Sequence, residues 1–454
     1  MGATMGSRVL VIMLGWLRAH EVTWHNFKTN VLDELEADLA VCVQDDKYFD
    51  FTNPFLVNAK FRWVAPAASD IGDIYDKIHR RMGSEEDWRI LCEVKGTWLG
   101  GIVQSDQATY ASLELALRWF IVDNVIASGL TTVYDRFVIT RSDFYYLCPH
   151  PPLDCLYKNY IWIPDGEDYG GICPRHLVVS ADDIINSINM LNDFLMHPRE
   201  LFSAMSWKSD WNIEQVIALY YTRKQLMSKV KRFPYVMFLV RSHADPIPSH
   251  GGHGGNYDEQ LFAFVKYKQE RDEAERHKGL LRCKDDWRLM FAVQNYFPTL
   301  LPLRIYTMHG TVLYVDEETL ELRHGHIDEV PRNIVFVIGN SGGRLIHVSH
   351  EESFDILYLQ ERSQSFAPLL DTVSQEPIVF DIVHIQPGFQ LNQTLMTNNL
   401  VGLRNKGTYL CAEPDGRVVL NRPHCYKFEH FRVLPDLHDE TGYRSRAGRK
   451  ASLF

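Results

Sequence analysis

Short strands that are apolar on both faces, separated by helical patterns, restrict the first half of this 454-residue chain to one fold class. RVLVIML (8–14) is followed by Gly15 and then by VTWHNFKTNVLDEL, where Phe27, Val31 and Leu35 recur every four residues. DLAVCV (38–43) is a second such strand, closed by the polar turn Gln44-Asp45-Asp46. YASLELALRWFIVDNVIA (110–127) carries Leu113, Leu117, Phe120 and Ile121 on one stripe, and the strand RFVIT (136–140) follows it. Strands of this kind are buried on both sides, which demands helices above and below a largely parallel sheet. Ligands of such α/β sheets sit beyond the carboxyl ends of strands. Arg141-Ser142-Asp143 occupies such an end.

Helical patterns dominate 180–225, where Ser180, Asp182 and Asp183 make a reasonable helix start, and return at YDEQLFAFVKYKQERDEAERH (257–277). Beyond Pro298 the texture changes to short strands punctuated by Gly, Pro and Asn. NIVFVI, IVFDIV and FEHFRV begin at 333, 378 and 428, and each follows a glycine-led strand: HGTVLYVD (309–316), GGRLIHVS (342–349) and KGTYLCAE (406–413). Three copies of one all-β unit predict a pseudo-threefold barrel, a β-trefoil. The expected organisation is therefore an α/β domain over 1–296 with a helical portion from about 180, a β-trefoil over 297–436, and a flexible basic tail over 437–454.

A net charge of −11 argues against a nucleic-acid partner. Eight cysteines without any CxxC spacing point to reduced thiols and a cytoplasmic setting. The first apolar run is too short to span a membrane, so no transmembrane segment is expected. The tail HDETGYRSRAGRKASLF carries Arg444, Arg446, Arg449 and Lys450, and is either solubilising or a peripheral contact with the inner membrane surface.

A carboxylate at the end of a buried strand is well placed to hold Mg²⁺ or Mn²⁺, and such an ion can clamp the phosphates of an activated donor. Four stretches carry a resemblance. They are Gly15-Trp16-Leu17-Arg18 after the first strand, YDRFVITRSDFYY (134–146), IWIPDGEDYGGICPRHLVVS (161–180), and WNIEQ (211–215) with RFPYVMFLVRSHAD (232–245). In this order they resemble bacterial-type, capsule and lipopolysaccharide glycosyltransferases of the GT-A fold, with a Rossmann-like mixed sheet. VGLRNKGTYLCAEPDGRVVLNRPHCYKFEHFRV (401–433) resembles a fascin-type β-trefoil repeat, and its Asp415-Gly416 is a tight-turn signal in its own right.

The resemblance implies a sugar transferred from a nucleoside-diphosphate sugar to a glycan or lipid-linked acceptor. It assigns Asp143 to the metal as the remaining acid of an Asp-x-Asp motif, and Gly15 and Arg18 to the donor. Arg141 either reaches a phosphate or pairs with Asp143. Glu167 and Asp168, in a glycine-bounded loop, are the candidate general bases, with Asp168 favoured. Pro174 stands where the family pattern expects an Asp. SHADPIPSHGGHGGNYDE (242–259) holds His243, Asp245, His250 and His253; it serves as a lid, or supplies His253 to the metal. Tyr134, Tyr145, Tyr146, Trp162 and Tyr169 are core residues or stacking faces. Two other readings remain: a non-catalytic scaffold binding carbohydrate or cytoskeleton, and a metal-dependent hydrolase centred on His243–His253.

Overall fold

The computed structural model describes residues 8–45, 49–103, 111–242, 256–278, 281–296, 304–316, 318–319, 321–331, 333–339, 342–348, 356–362, 365–368, 379–384 and 400–434. The chain divides into two compact units between His277 and Lys278, which places the helix Lys284–Tyr296 with the second unit. Among the described residues no helix is long and apolar enough to cross a membrane.

Among the described residues eleven strands build the first unit: β1 (Val9–Leu14), β2 (Asp38–Gln44), β3 (Phe61–Ala65), β4 (Arg136–Thr140), β5 (Phe144–Tyr146), β6 (Ile161–Pro164), β7 (Leu177–Ser180), β8 (Val230–Phe233), β9 (Met237–Arg241), β10 (Asn256–Asp258) and β11 (Ala263–Val265). Seven of them form one sheet in the order β3-β2-β1-β4-β7-β6-β8. β1 lies between β2 and β4, parallel to both, with Val11 opposite Leu39 on one side and Val138 on the other. β7 runs antiparallel to β4, so the sheet is mixed, as the GT-A resemblance implies, where the strand pattern alone suggests a largely parallel one. The chain leaves β1 toward β2 and β3, then returns to place β4 on the opposite side. That reversal opens a crevice above the carboxyl ends of β1 and β4.

The burial explains the sequence. All six residues of β1 and all five of β4 are buried, and Leu10, Val11, Ile12 and Met13 are fully so. Each such side chain contributes roughly 1.5–3 kcal/mol on leaving water. The helix Ala111–Ala127 covers one face through Leu113, Leu117 and Ile121, and Phe27, Val31 and Leu35 are buried as their spacing predicts. The expected helix over 257–277 forms only from Lys268. Before it, the Asp258 carboxylate accepts the N–H groups of Gln260 and Leu261 and bends the chain, and Phe262 takes a positive φ of 51°. The result is the β10–β11 hairpin, part of a second, antiparallel sheet ordered β10-β11-β9-β5.

The second unit is antiparallel throughout its described strands. One sheet runs Leu322–Gly325, Val312–Val315, Arg304–Thr307, Phe431–Leu434, Leu400–Asn405, Thr408–Ala412 and Val418–Arg422, with Asp381–His384 also on Leu400–Asn405. A separate sheet joins Ile334–Gly339, Gly342–Val348, Ile356–Arg362 and Ser365–Pro368. Four of the six repeated strand motifs fall on observed strands over half or more of their length; IVFDIV and FEHFRV do so only in their last three residues, in FEHFRV because Lys427–Glu429 form a 3-10 turn. Asp415-Gly416 lies in the loop between Ala412 and Val418, where Gly416 has φ 88°. The basic tail lies outside the described residues.

A buried polar chain ties the two sheets of the first unit together. Thr140 on β4, Tyr146 on β5, His176 before β7 and His150 are all buried. His150 Nδ1 is 2.8 Å from the Pro151 carbonyl, which only accepts, so His150 carries its proton there. Its Nε2 then accepts from His176 Nε2 at 3.2 Å, leaving His176 Nδ1 to accept from Thr140 Oγ1 at 3.0 Å or the Tyr146 hydroxyl at 3.3 Å. Both histidines are held neutral: burial pushes His150 down to about 4 and His176 well below its ordinary value. The unfolded chain takes up these protons near 6.5, the folded one not until far lower, so stability is full above pH 6.5 and drains as the pH falls toward 4. For His150 alone the loss approaches about 3 kcal/mol. Urea titrations at pH 7.5, 6.0 and 4.5 should show this decline, and His150→Asn should lower stability at pH 7.5 while flattening its dependence on acid.

Candidate functional site

The crevice at the β1/β4 reversal is a cleft of about 350 Å³. That is within the range of ordinary small-molecule sites. Gly15 ends β1 with φ 90°, a conformation only glycine adopts without strain, and its N–H still donates to the Cys42 carbonyl at 3.0 Å. The chain then turns through Trp16 to Arg18, whose guanidinium lies 4.4 Å from the Trp16 ring centre. Ser142 fastens this turn to the end of β4: its Oγ accepts the Arg18 N–H at 2.9 Å and sits 3.0 Å from the Trp16 carbonyl. Residues 15–18 and 141–143, more than 120 positions apart in sequence, are thereby held side by side.

Asp143 is buried at 1% exposure and engaged on both oxygens. Arg141 donates to it from Nε at 2.9 Å and from Nη2 at 2.8 Å, and Arg241 at the end of β9 donates from Nη1. Burial alone would raise this carboxyl, but the two guanidiniums override it and hold it far below the usual carboxylate range. Of the two alternatives for Arg141, the pair with Asp143 is the one observed. Asp143 does not line the cleft; Arg141 and Arg241 do.

Arg175 lines it as well, anchored 2.5 Å from Glu270, which is buried and also accepts the Leu239 N–H at 2.9 Å. Lys266, just past β11, adds a further cation, its amine 4.8 Å from the Tyr267 ring centre and without a carboxylate partner among the described residues. Burial, then Arg241 and Arg141, push that amine down to about 7. Among the described residues five cations thus line the cleft, Arg18, Arg141, Arg175, Arg241 and Lys266, against two lining carboxylates, Glu114 and Glu214. Glu114 is in turn paired with Arg118 at 3.0 Å.

Glu214 is the second lining carboxylate among the described residues. It opens the helix Ile213–Arg223, where Asn212 and Gln215 form a capping box. Burial raises its pKa against the opposing pull of its own backbone N–H and of Arg175. Two close backbone approaches fix this helix start. Gly96 bridges Trp211, with the Thr97 N–H donating to the Trp211 carbonyl at 2.7 Å, and Ile172 beside Gly171 donates to the Glu214 carbonyl at 3.0 Å.

The structure brings Gly15, Arg18 and Arg141 together on one cleft, with Asp143 behind them. It does not bring the expected bases there. Asp168 accepts the Cys173 N–H at 3.0 Å and pairs with Arg232 at 2.8 Å, while Glu167 accepts from the Tyr169 hydroxyl at 2.5 Å. Neither lines the cleft; Tyr169 of their loop has its ring centre 5.4 Å from Arg175. The expected metal ligands fare differently. His253, with His243, Asp245 and His250, lies outside the described residues. The Asp143 carboxylate as arranged does not fit a cation, which would have to displace Arg141 or Arg241. Among the described residues no cluster of three His, Cys, Asp or Glu side chains is placed to hold an ion.

Sequence reasoning missed Arg175, Arg241, Lys266, Glu114 and Glu214. Signals existed for three of them, since the Arg175-His176 pair, the Arg241-Ser242 strand end and WNIEQ all fell in the quoted stretches. Lys266 was hidden by the helical reading of its segment.

No protein-family model and no curated protein sequence matches the chain. Among solved structures, the apo form of mouse xyloside xylosyltransferase 1 aligns over 50% of this chain and 85% of its own, at 8% identity and a TM-score of 0.29. A likeness of that size says nothing about activity.

A methyl group on Gly171 would stand 2.1 Å from the Glu214 carbonyl oxygen, against backbone that has nowhere to go. Gly171→Ala should therefore lower stability by at least about 2 kcal/mol in denaturant titration. Gly15→Ala meets no neighbour and is strained only by its φ, so it should lose about half that or less.

Proposed function

We propose that this chain is a glycosyltransferase that binds a nucleoside-diphosphate sugar in the β1/β4 cleft and passes the sugar to a glycan or lipid-linked acceptor. The observation that carries this is the excess of cations over carboxylates at the reversal of strand order, joined to the resemblance of four ordered stretches to GT-A enzymes. A diphosphate is a compact dianion, and guanidinium forks match its oxygens. Held in a partly dry cleft, such cations act more strongly than in water, and they stabilise the charge that gathers on the departing diphosphate.

Glu214 is assigned as the general base. Its carboxylate takes the proton of the acceptor hydroxyl as that oxygen bonds to the anomeric carbon, and the bond from that carbon to the diphosphate breaks with its electron pair going to the leaving group. Burial raises its proton affinity toward what this step requires. For the second unit we propose a β-trefoil that binds glycan or positions the acceptor; its support is the threefold recurrence of strand motifs and the antiparallel pairing of the described strands.

Calorimetric titration with UDP- and GDP-sugars tests the reading: micromolar binding of one of them should appear, and its absence across the panel would remove the proposal. Glu214→Gln should leave that affinity within about threefold while reducing transfer or slow donor hydrolysis by 10²-fold or more. Lys266 supplies a pH signature. Its folded pKa lies near 7, so the cleft loses a positive charge as pH rises through that value. Affinity for the donor should fall several-fold between pH 6 and pH 8.5, and Lys266→Arg should bind with little dependence on pH over the same interval.

A further inference from the structure

Asp143 ends the strand where a divalent cation was expected, yet its charge is spent within the protein. One carboxylate at 1% exposure satisfies two guanidiniums, with Arg141 forming a two-point contact at 2.8 and 2.9 Å and Arg241 a third. Geometry of this kind resists exchange. Breaking a buried ion pair leaves a charge without its compensation. A cation arriving at Asp143 would have to evict Arg241, which is buried, or Arg141, which is half-buried, and would place another positive charge among those already lining the cleft. Each part of that exchange is unfavourable.

The remaining geometry points the same way. Arg141 and Arg241, oriented by Asp143, line the cleft, as do Arg175, oriented by Glu270, and Lys266 and Arg18. These groups already provide what a divalent ion provides to a diphosphate: concentrated positive charge in fixed positions. We infer that the cleft binds diphosphate through its own arginines and lysine, without a divalent cation, and that Asp143 is a positioning residue for those arginines. The inference rests on the cleft being the donor site and departs from the metal dependence that the sequence suggested.

Inorganic pyrophosphate is the probe, titrated calorimetrically into the full chain at pH 6.5, once with 5 mM EDTA and once with 5 mM Mn²⁺, beside parallel titrations with orthophosphate and sulfate. Pyrophosphate should bind in EDTA with an affinity within about threefold of that in Mn²⁺, and at least tenfold more tightly than orthophosphate or sulfate. Arg18→Met should weaken it about tenfold in EDTA. Arg18 is half-buried on the turn after β1, so thermal melting serves to show that the variant is folded. Binding seen only with Mn²⁺ would overturn the inference and leave the donor site standing. Equal, weak binding of all three anions would also overturn it, as a nonspecific cationic surface. No pyrophosphate binding under either condition would overturn both the inference and the donor-site reading. Manganese titrated alone and followed by electron paramagnetic resonance gives an independent readout: a site filling below about 100 µM and lost in Asp143→Asn would contradict the arginine-held carboxylate.

Discussion

The contact on which the rest of the first unit depends is the buried carboxylate of Asp143 between Arg141 and Arg241. It joins the end of β4 to the end of β9, and so joins the main sheet to the smaller one. The backbone reinforces it, since the Asp143 carbonyl accepts the Val240 N–H at 2.9 Å and Phe144 pairs with Leu239 in the β5–β9 ladder. Ser142, between the two charged residues, reaches the turn after β1. Three consecutive residues thus fix three segments that are distant in sequence. Charge makes the arrangement cooperative: each guanidinium lowers the price of burying the carboxylate for the other, and neither is comfortable there alone.

The strands were legible because burial on both faces leaves a plain mark, an unbroken run of β-branched and aliphatic residues. RFVIT and RVLVIML needed nothing beyond that rule, and the long helix before RFVIT carried its own stripe. The site was legible only in part. Strand ends announce themselves, and together with the GT-A resemblance they singled out Gly15, Arg18 and Arg141, which line one cleft. What could not be read was the partner of each charge. Asp143 beside Arg141 in sequence is equally a metal ligand or half of an ion pair, and the deciding residue, Arg241, stands 98 positions away. Glu167 and Asp168 misled for the same reason: Arg232, which claims Asp168, comes from another strand.

Local chemistry overrode pattern in the segment before Lys268. Its spacing of apolar residues suits a helix, but Asp258 captures two backbone N–H groups and a positive φ at Phe262 closes a hairpin instead. The consequence reaches the cleft, because a helix would carry Lys266 away on a different face, whereas the hairpin delivers it beside β9 through the Lys266 N–H to the Leu239 carbonyl at 2.8 Å. In the second unit the glycine-led strands were visible for a related reason. Gly310, Gly407 and Gly416 all adopt positive φ, so the turns are written in the sequence even where the strands between them are short.

The cations of the cleft divide into two kinds. Arg141 and Arg175 are held charged at any ordinary pH, since burial, which opposes their charge, is outweighed by Asp143 for the first and, with the Cys173 thiol neutral, by Glu270 for the second. They form a constant field. Lys266 sits in that field with no carboxylate of its own among the described residues, so the arginines that stabilise an arriving anion destabilise the proton on its amine. An anion reverses the balance by screening the arginines and supplying the missing partner. In the proposed donor site the charge would therefore be set partly by the occupant: the arginines would define where an anion rests, and the lysine would make the closeness of its hold depend on what has entered.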